Sequence, residues 1–145
     1  MIGIIKETFS VEELTDISKL SNTGDICLFT DSLLPIVDTT NLAIATATRS
    51  FDFSGILVST CYRTTEILLV NKSSEKKIFY ATDTEWTKNR NLPYEKLLNL
   101  YCHPKVKLVV STANLYNDIE NFFRKPDCII QKWDLDQLRG LFIDV

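Results

Sequence analysis

Phe53–Trp86, FSGILVSTCYRTTEILLVNKSSEKKIFYATDTEW, is the stretch of sequence that decides the fold. Its apolar runs Gly55–Ser59 and Lys77–Ala81 are typical of buried strands, and the segment Tyr62–Lys72 between them has the pattern of a helix. A strand, a helix and a strand in a unit of about 30 residues is the size of a βαβ crossover. The stretch therefore predicts two parallel strands joined by a helix.

Three further apolar runs predict strands outside this unit, and helical patterns separate them. The runs are Asp25–Thr30, Val106–Val110 and Cys128–Gln131. Five strands that alternate with helices predict an α/β fold: a three-layer, doubly wound, mostly parallel five-stranded sheet with helices on both faces, of Rossmann-like type. No linker or repeat interrupts the sequence, so we expect a single domain over residues 1–145.

Polar residues and prolines mark the ends of the predicted helices. Ser10 and Glu13 have capping-box spacing and predict a helix start, and Asn22–Gly24 predicts the end of that helix. The remaining helices are predicted at three places: after Pro93, over Ala113–Arg124 and over Trp133–Leu141.

Two segments admit more than one interpretation. Ile2–Ile5 is either a short strand or an arm. Asn41–Arg49 is predicted as a helix because a helix completes the alternating pattern there, although Ile44 and Thr46 also permit a strand. The polar stretch Thr87–Leu92 is predicted to be a loop.

The composition excludes several classes of protein. The net charge is −3 and the basic residues are scattered, so no nucleic-acid footprint is visible. The apolar runs are far shorter than the ~20 residues that span a bilayer, and we recognise no signal peptide, so we expect no membrane partner. Four cysteines without a CxxC pair and one histidine indicate a reduced, cytoplasmic protein without a metal site. With four glycines, neither GxGxxG nor the P-loop motif occurs, and we expect no cofactor.

The predicted ligand site lies at the carboxyl ends of the strands, because parallel α/β sheets bind ligands there, at the switch in strand order. Hydroxyl groups and helix N-termini at these ends favour a phosphate or a sugar. The predicted ligand-binding residues are Asp31, Ser32, Ser59, Thr60, Asp83, Glu85, Trp86, Ser111 and Thr112. The alternative is that these Ser, Thr and Asp residues only cap helices.

The acidic and aromatic segment Asp83–Trp86 is the most distinctive of these strand ends. Its two carboxylates can bind the hydroxyls of a sugar and its indole can pack on the sugar face, and one carboxylate can act as a general base. The alternative is a solvated loop with Trp86 folded onto the core. The sequence assigns no catalytic residue.

Four other side chains have weaker claims to a function. Cys61 lies near a predicted helix N-terminus, which lowers the pKa of a thiol, and a buried structural cysteine is the alternative. Arg49 and Arg63 flank the same crevice and can pair with phosphate or with surface carboxylates. His103 lies at a helix C-terminus, where we expect it to interact with the helix dipole.

Three runs carry a resemblance to a known family: IFYATDTEW (78–86), PYEKLLNLYCHP (93–104) and KVKLVVSTANLYNDIENFF (105–123). Over about Gly55–Gln131 the chain resembles the amino-terminal Rossmann-like half of two-domain GT-B glycosyltransferases, including those of large phages. The resemblance implies that Asp83, Glu85, Trp86 and Ser111 are crevice residues. Such enzymes bind the nucleotide-sugar donor chiefly in a second domain, so the resemblance implies an acceptor-side domain, a fragment or a descendant with another role.

Two functions are compatible with these observations. The first is a glycosyltransferase-like domain that binds a sugar, nucleotide sugar or nucleotide-like ligand and is not necessarily catalytic alone. It predicts that Asp83, Glu85 and Ser111 converge around one cavity. The alternative is a non-enzymatic α/β interaction protein, such as a viral accessory factor or an assembly subunit, which binds a protein partner or a second domain. A thiol enzyme built on Cys61 is a third hypothesis.

Overall fold

Seven parallel strands form one sheet in the described part of the chain. The computed structural model describes residues 1–21, 25–89 and 91–143. The strands are β1 (Ile2–Ile5), β2 (Ile26–Phe29), β3 (Ala43–Ala45), β4 (Ile56–Ser59), β5 (Lys77–Ala81), β6 (Val106–Val110) and β7 (Cys128–Ile129). They pair in the order β3-β2-β1-β4-β5-β6-β7, and every pair is parallel.

Helices connect most of the strands. Within the described residues they are α1 (Val11–Leu20), a 3₁₀-helix (Ala47–Asp52), α2 (Tyr62–Val70), α3 (Glu85–Lys88), α4 (Tyr94–Tyr101), α5 (Ala113–Phe122) and α6 (Leu135–Gly140). The chain runs from β1 outward to β3, returns to β4 on the other side of β1 and continues outward to β7. The strand order therefore reverses between β1 and β4, as it does in doubly wound sheets.

Side-chain alternation along the strands divides the core into two layers. Ile4 and Tyr80 belong to a layer that also contains residues of α1 and α6, whereas Ile5 and Phe79 belong to a layer that contains residues of α2, α4 and α5. Successive residues of a strand point to opposite faces of the sheet, so the position of a residue along its strand decides which helices it meets. We name the two sides of the sheet the α1 face and the α2 face.

The stretch that decides the fold forms the predicted βαβ unit. β4 and β5 pair in parallel, with Leu57 opposite Lys77, and α2 crosses between them. The predicted strand Lys77–Ala81 has the observed bounds. Helix α2 is shorter than predicted, because the backbone of Asn71 is extended and ends it. The prediction of an α/β fold is confirmed.

The prediction of five strands is wrong, since the sheet has seven. Ile2–Ile5, which the sequence left open as a strand or an arm, is β1, and it lies fully buried between β2 and β4. The predicted helix Asn41–Arg49 is also wrong: Ala43–Ala45 pairs with β2 and the residues after it enter the 3₁₀-helix. The Thr30 N–H donates to the Ala45 carbonyl at 3.0 Å, so bonds to β2 outweigh the helical pattern.

Capping chemistry sets the helix boundaries. The Glu13 N–H donates to Ser10 Oγ at 3.1 Å, which confirms the predicted start of α1. The predicted stop at Asn22–Gly24 lies outside the described residues. The predicted loop Thr87–Leu92 is wrong at its start, because α3 extends to Lys88.

Candidate ligand-binding site

A cleft of about 590 Å³ opens at the carboxyl edge of the sheet, on the α1 face. Its lining comes from α1, the ends of β5 and β6 and the segment after β7: Ser10, Glu12, Glu13, Asp16, Lys19, Leu20, Tyr80, Thr82, Ser111, Gln131, Lys132 and Trp133. Thr82 and Ser111 each stand two residues after a residue of the α1 face, Tyr80 and Val109, so they continue that face beyond the strands. The cleft lies at the edge where parallel α/β sheets bind their ligands.

Tyr80 fixes the floor of the cleft. Its hydroxyl donates to the Ile130 carbonyl at 2.5 Å, and its ring packs on that of Trp133 with the centroids 4.8 Å apart. Burial raises the pKa of Tyr80 to about 12, so the hydroxyl stays protonated and continues to donate at neutral pH. These contacts hold the segment that carries Trp133 against β5.

Carboxylates of α1 form one wall of the cleft. Ser10 caps the helix, which places Glu12 and Glu13 in its first turn and Asp16 in the next. Glu13 pairs with Lys6. Glu12 and Asp16 are exposed and form no ion pair among the described residues. The wall therefore offers two carboxylates that are free to accept hydrogen bonds.

The cleft combines three kinds of group that suit a polyol. Its carboxylates accept hydrogen bonds from hydroxyls, and the side chains of Thr82, Ser111 and Gln131 both donate and accept. The indole of Trp133 offers an apolar face with a polar edge. Three carboxylates outnumber two lysines in the lining, which favours an uncharged ligand over an anion.

The structure separates the three residues that were predicted to converge. Ser111 lines the cleft, whereas Asp83 and Glu85 do not belong to its lining. Thr112, the neighbour of Ser111, is exposed, and its Oγ1 accepts from the Leu115 N–H at 3.2 Å. Thr112 therefore caps α5.

The predicted residues after β2 bond within the fold. Asp31 Oδ1 accepts from the Ala47 N–H at 3.0 Å and satisfies the start of the 3₁₀-helix. The Ser32 N–H donates to Thr30 Oγ1 at 3.2 Å, and the segment turns there. The side chain of Asp31 therefore has a structural role, whereas Ser32 contributes only its backbone N–H.

The predicted residues after β4 are buried at the switch in strand order. The hydroxyls of Ser59 and Thr65 share a hydrogen bond of 2.8 Å. Thr60 Oγ1 donates to the Ile5 carbonyl at 3.2 Å and ties the end of β4 to that of β1. Both hydroxyls therefore already have partners inside the protein.

The two predicted carboxylates after β5 have separate partners. Asp83 accepts from the Lys88 ammonium at 2.6 Å, and this hydrogen bond holds the pKa of Asp83 below its ordinary value. Glu85 accepts from the Tyr62 N–H at 3.0 Å, at the N-terminus of α2. Burial raises the pKa of Glu85 to about 7, and the carboxylates of Asp83 and Glu7 add to the rise. Glu85 therefore changes protonation near neutral pH.

Trp86 packs into the α2 face. Its ring centroid lies 5.6, 5.9 and 5.1 Å from those of Tyr101, Phe122 and Phe123, and we name these four side chains the aromatic cluster. The Nε1 atom of Trp86 is buried and has no hydrogen-bond partner in the part of the chain that the structure describes. The interpretation in which Trp86 folds onto the core is confirmed.

The surroundings of Cys61 favour a structural cysteine over a reactive thiol. Cys61 is the N-cap of α2 and its Sγ accepts from the Thr64 N–H at 3.5 Å, but burial has the larger effect and raises the pKa of the thiol. Arg63 lies 3.8 Å from Glu7 in an exposed ion pair, and Arg49 lies in the 3₁₀-helix. These contacts are structural.

Most of the cleft was missed by reasoning from the sequence. Glu12 and Asp16 were not among the predicted site residues, because Ile2–Ile5 had not been assigned to the sheet. Once Ile2–Ile5 is a strand, the first turns of α1 must lie at the carboxyl edge. The signal was present in the capped start of α1 at Ser10 and in the two-residue spacing along β5 and β6.

No family model, curated protein or solved structure gives a significant match to the chain. The class of protein is therefore defined by its own architecture: an α/β fold whose described residues form a single parallel sheet of seven strands flanked by helices, consistent with a Rossmann-like arrangement. The described residues include no helix with the length and apolarity needed to cross a membrane. They also include no group of three acidic, histidine or cysteine side chains placed to hold a metal ion.

Proposed function

We propose that this chain is a glycosyltransferase-like domain that binds the sugar part of an acceptor or of a nucleotide sugar in the cleft at the carboxyl edge. One observation carries the proposal: free carboxylates, hydroxyl groups and the indole of Trp133 converge on one cleft of about 590 Å³. That volume lies within the roughly 300–1,000 Å³ of pockets that bind small molecules. The resemblance over about Gly55–Gln131 implies the same class of ligand, although of its four crevice residues only Ser111 lines this cleft.

The chemistry of the wall favours the sugar part of the ligand over a phosphate. Glu12 and Asp16 have no cationic partner among the described residues, so a phosphate next to them would be repelled. Sugar hydroxyls donate to such carboxylates, and these charge-assisted hydrogen bonds are the stronger kind. No catalytic residue is proposed for the domain by itself.

The proposed setting is the reducing cytoplasm, and the resemblance makes a phage-type protein the proposed source. The cysteines are all free, which supports a reducing compartment: Cys27, Cys61, Cys102 and Cys128.

A thermal-shift screen with monosaccharides, disaccharides and nucleotide sugars tests the proposal. A ligand at a hundred times its dissociation constant stabilises the fold by about 2.7 kcal/mol, which a melting curve detects readily. We expect Asp16→Asn to weaken binding of the best sugar by about tenfold, because it removes one charge-assisted hydrogen bond. Asp118→Asn is the matched control, since Asp118 is an exposed carboxylate of α5 on the other face of the sheet.

Two outcomes would overturn the sugar site. One is the absence of any shift with millimolar sugars or nucleotide sugars. The other is a shift that Asp16→Asn and Asp118→Asn leave equally intact, because the ligand would then bind elsewhere.

A specific observation favours the second candidate function, a non-enzymatic interaction protein. Leu33 and Ile36, between β2 and β3, are 99 % and 104 % exposed, an unusual state for two neighbouring aliphatic side chains. Sedimentation of the protein alone and of a Leu33→Ser, Ile36→Ser double variant tests it. Self-association that the double variant abolishes would favour this function, and two equally monomeric proteins would count against it.

A further inference from the structure

A second depression, of about 730 Å³, lies at the opposite edge of the sheet from the cleft. Lys77 begins β5 and Lys105 directly precedes β6, so the depression is at the amino ends of these strands. Lys72, which follows α2, and His103, which follows α4, complete its basic lining. Glu75 is the carboxylate of the lining.

Lys77 is the least expected of these cations, because it is only 9 % exposed. Its ammonium donates to the Asn71 carbonyl at 2.5 Å. No carboxylate of the described residues pairs with it. Buried lysines are rare unless a negative charge accompanies them, so the fold carries here a positive charge that lacks its counter-charge.

His103 lies between the lysines. Its Nδ1 accepts from the Lys105 N–H at 3.2 Å, which leaves Nε2 to carry the ring proton as a donor. Burial, together with the charges of Lys77 and Lys105, lowers the pKa of His103 below its ordinary value. The same causes, burial and the charge of Lys105, lower the pKa of Lys77. While the depression holds no anion, the charges of the lysines therefore disfavour both one another and a proton on His103.

The charge balance of this edge contrasts with that of the whole chain. The chain carries a net charge of −3, and Arg124, in the adjoining depression, pairs with Asp127 at 3.3 Å. Lys72, Lys77 and Lys105 have no such partner in the described ranges. Three unpaired lysines and a histidine thus face one carboxylate, Glu75.

We propose that this depression binds a diphosphate group, free or carried by a nucleoside. A multiply charged anion supplies the counter-charge that Lys77 lacks, and several ammonium groups around one site match its several oxygens. His103 donates to the anion through Nε2. Binding also favours protonation of Nδ1, which replaces the hydrogen bond from the Lys105 N–H, because the anion reverses the repulsion from the lysines. The site is independent of the cleft and of the proposed sugar ligand.

The single histidine of the chain makes the test direct, since its ring signals in an NMR spectrum need no assignment. The pH titration of His103 is recorded in chloride, and then with pyrophosphate or ADP at the same ionic strength. We expect the anion to raise the pKa of His103 by about one unit. Binding of pyrophosphate but not ADP identifies a free anion, and binding of both identifies a diphosphate group that tolerates a nucleoside.

Two variants locate the site. Because Lys77 is buried and a substitution there disturbs the core, the test uses the exposed Lys105. Lys105→Gln should weaken pyrophosphate binding by about tenfold, and Lys132→Gln, an exposed lysine of the cleft at the other edge, should leave it unchanged.

Three results would overturn the proposal. The first is a pKa of His103 that does not move with millimolar pyrophosphate or ADP. The second is an equal shift of that pKa with sulfate at matched ionic strength, which indicates screening rather than a site. The third is equal weakening by the Lys105 and Lys132 variants.

Discussion

The two tryptophans of the chain are both partly buried and pack against opposite layers of the core, but their neighbours differ. Trp86 is enclosed by the aromatic cluster, and its indole N–H is buried without an acceptor among the described residues. Trp133 packs on the ring of Tyr80 and lines the cleft. The local sequence around Trp86, with its two carboxylates, looked more like a binding site than that around Trp133.

The difference comes from what covers each face of the sheet. Helices α4 and α5 bring Tyr101 and Phe122 against Trp86, so on the α2 face the indole packs among other rings, although Phe122 is itself 54 % exposed. On the α1 face, the described helices α1 and α6 leave the ends of β5 and β6 uncovered, and the cleft forms there. The role of an aromatic side chain is therefore decided by the apolar partners that the fold supplies.

Replacing each tryptophan by alanine is the most direct test of the difference between the two sites. We expect Trp86→Ala to lower the free energy of unfolding by about 3 kcal/mol, because it leaves a cavity among packed rings. Trp133→Ala should cost about 1 kcal/mol, because it removes one aromatic pair at the rim of an open cleft. Urea unfolding followed by circular dichroism measures both. Equal losses would mean that the two environments do not differ energetically.

The variant Glu85→Gln tests how the free energy of unfolding depends on pH next to Trp86. The pKa of Glu85 is raised from 4.5 to about 7, so its stabilising contribution is complete below pH 4.5 and is lost as the pH rises through about 7. After allowance for its partial exposure, we expect the free energy of unfolding to fall by about 2 kcal/mol over this window. Glu85→Gln stays neutral and should flatten the profile.

The control for that profile is Glu120→Gln, because Glu120 is an exposed carboxylate of α5. It should keep the slope of the unmodified protein. An unchanged slope in Glu85→Gln would show that another group titrates.

The strands that could be predicted from the sequence are those whose apolar runs are long enough to recognise. Lys77–Ala81 and Val106–Val110 are near-continuous apolar runs, and both were predicted with their observed bounds. Strand β3, Ala43–Ala45, has only three residues, with Ala on both sides of Ile44. Because the strand is exposed at the edge of the sheet, its sequence shows no alternation of apolar and polar residues. It became a strand only because β2 supplies its hydrogen bonds.

The site was predictable only at the level of the sheet edge. Ser111 was predicted and lines the cleft, whereas Thr112 had the right chemistry but serves as a cap. A capping hydroxyl and a ligand-binding hydroxyl look the same in a sequence, because both follow a strand and precede a helix. The position of Cys61 at a helix N-terminus was visible in the sequence, whereas the burial that raises the pKa of its thiol is set by distant residues.

The smallest expected effect on the free energy of unfolding concerns Ser10, the N-cap of α1 at the cleft. Ser10→Ala should lower the free energy of unfolding by about 1 kcal/mol, because the Glu13 N–H loses its acceptor. Ser10→Asn keeps an acceptor and should cost much less. Thermal unfolding compares the two, and an equal loss in both would assign the effect to the cleft lining rather than to the cap.

The central position of β1 has a consequence for how the protein is made. β1 is synthesised before β4, yet its register runs from Ile2 opposite Ile56 to Ile5 opposite Ser59. Closing so long a loop costs chain entropy and slows folding. Until β4 emerges from the ribosome, one side of a fully apolar strand stays open to pairing with other chains. The central strand is thus synthesised early but paired on both sides only after β4 has been made. In that interval the nascent chain most needs protection from aggregation.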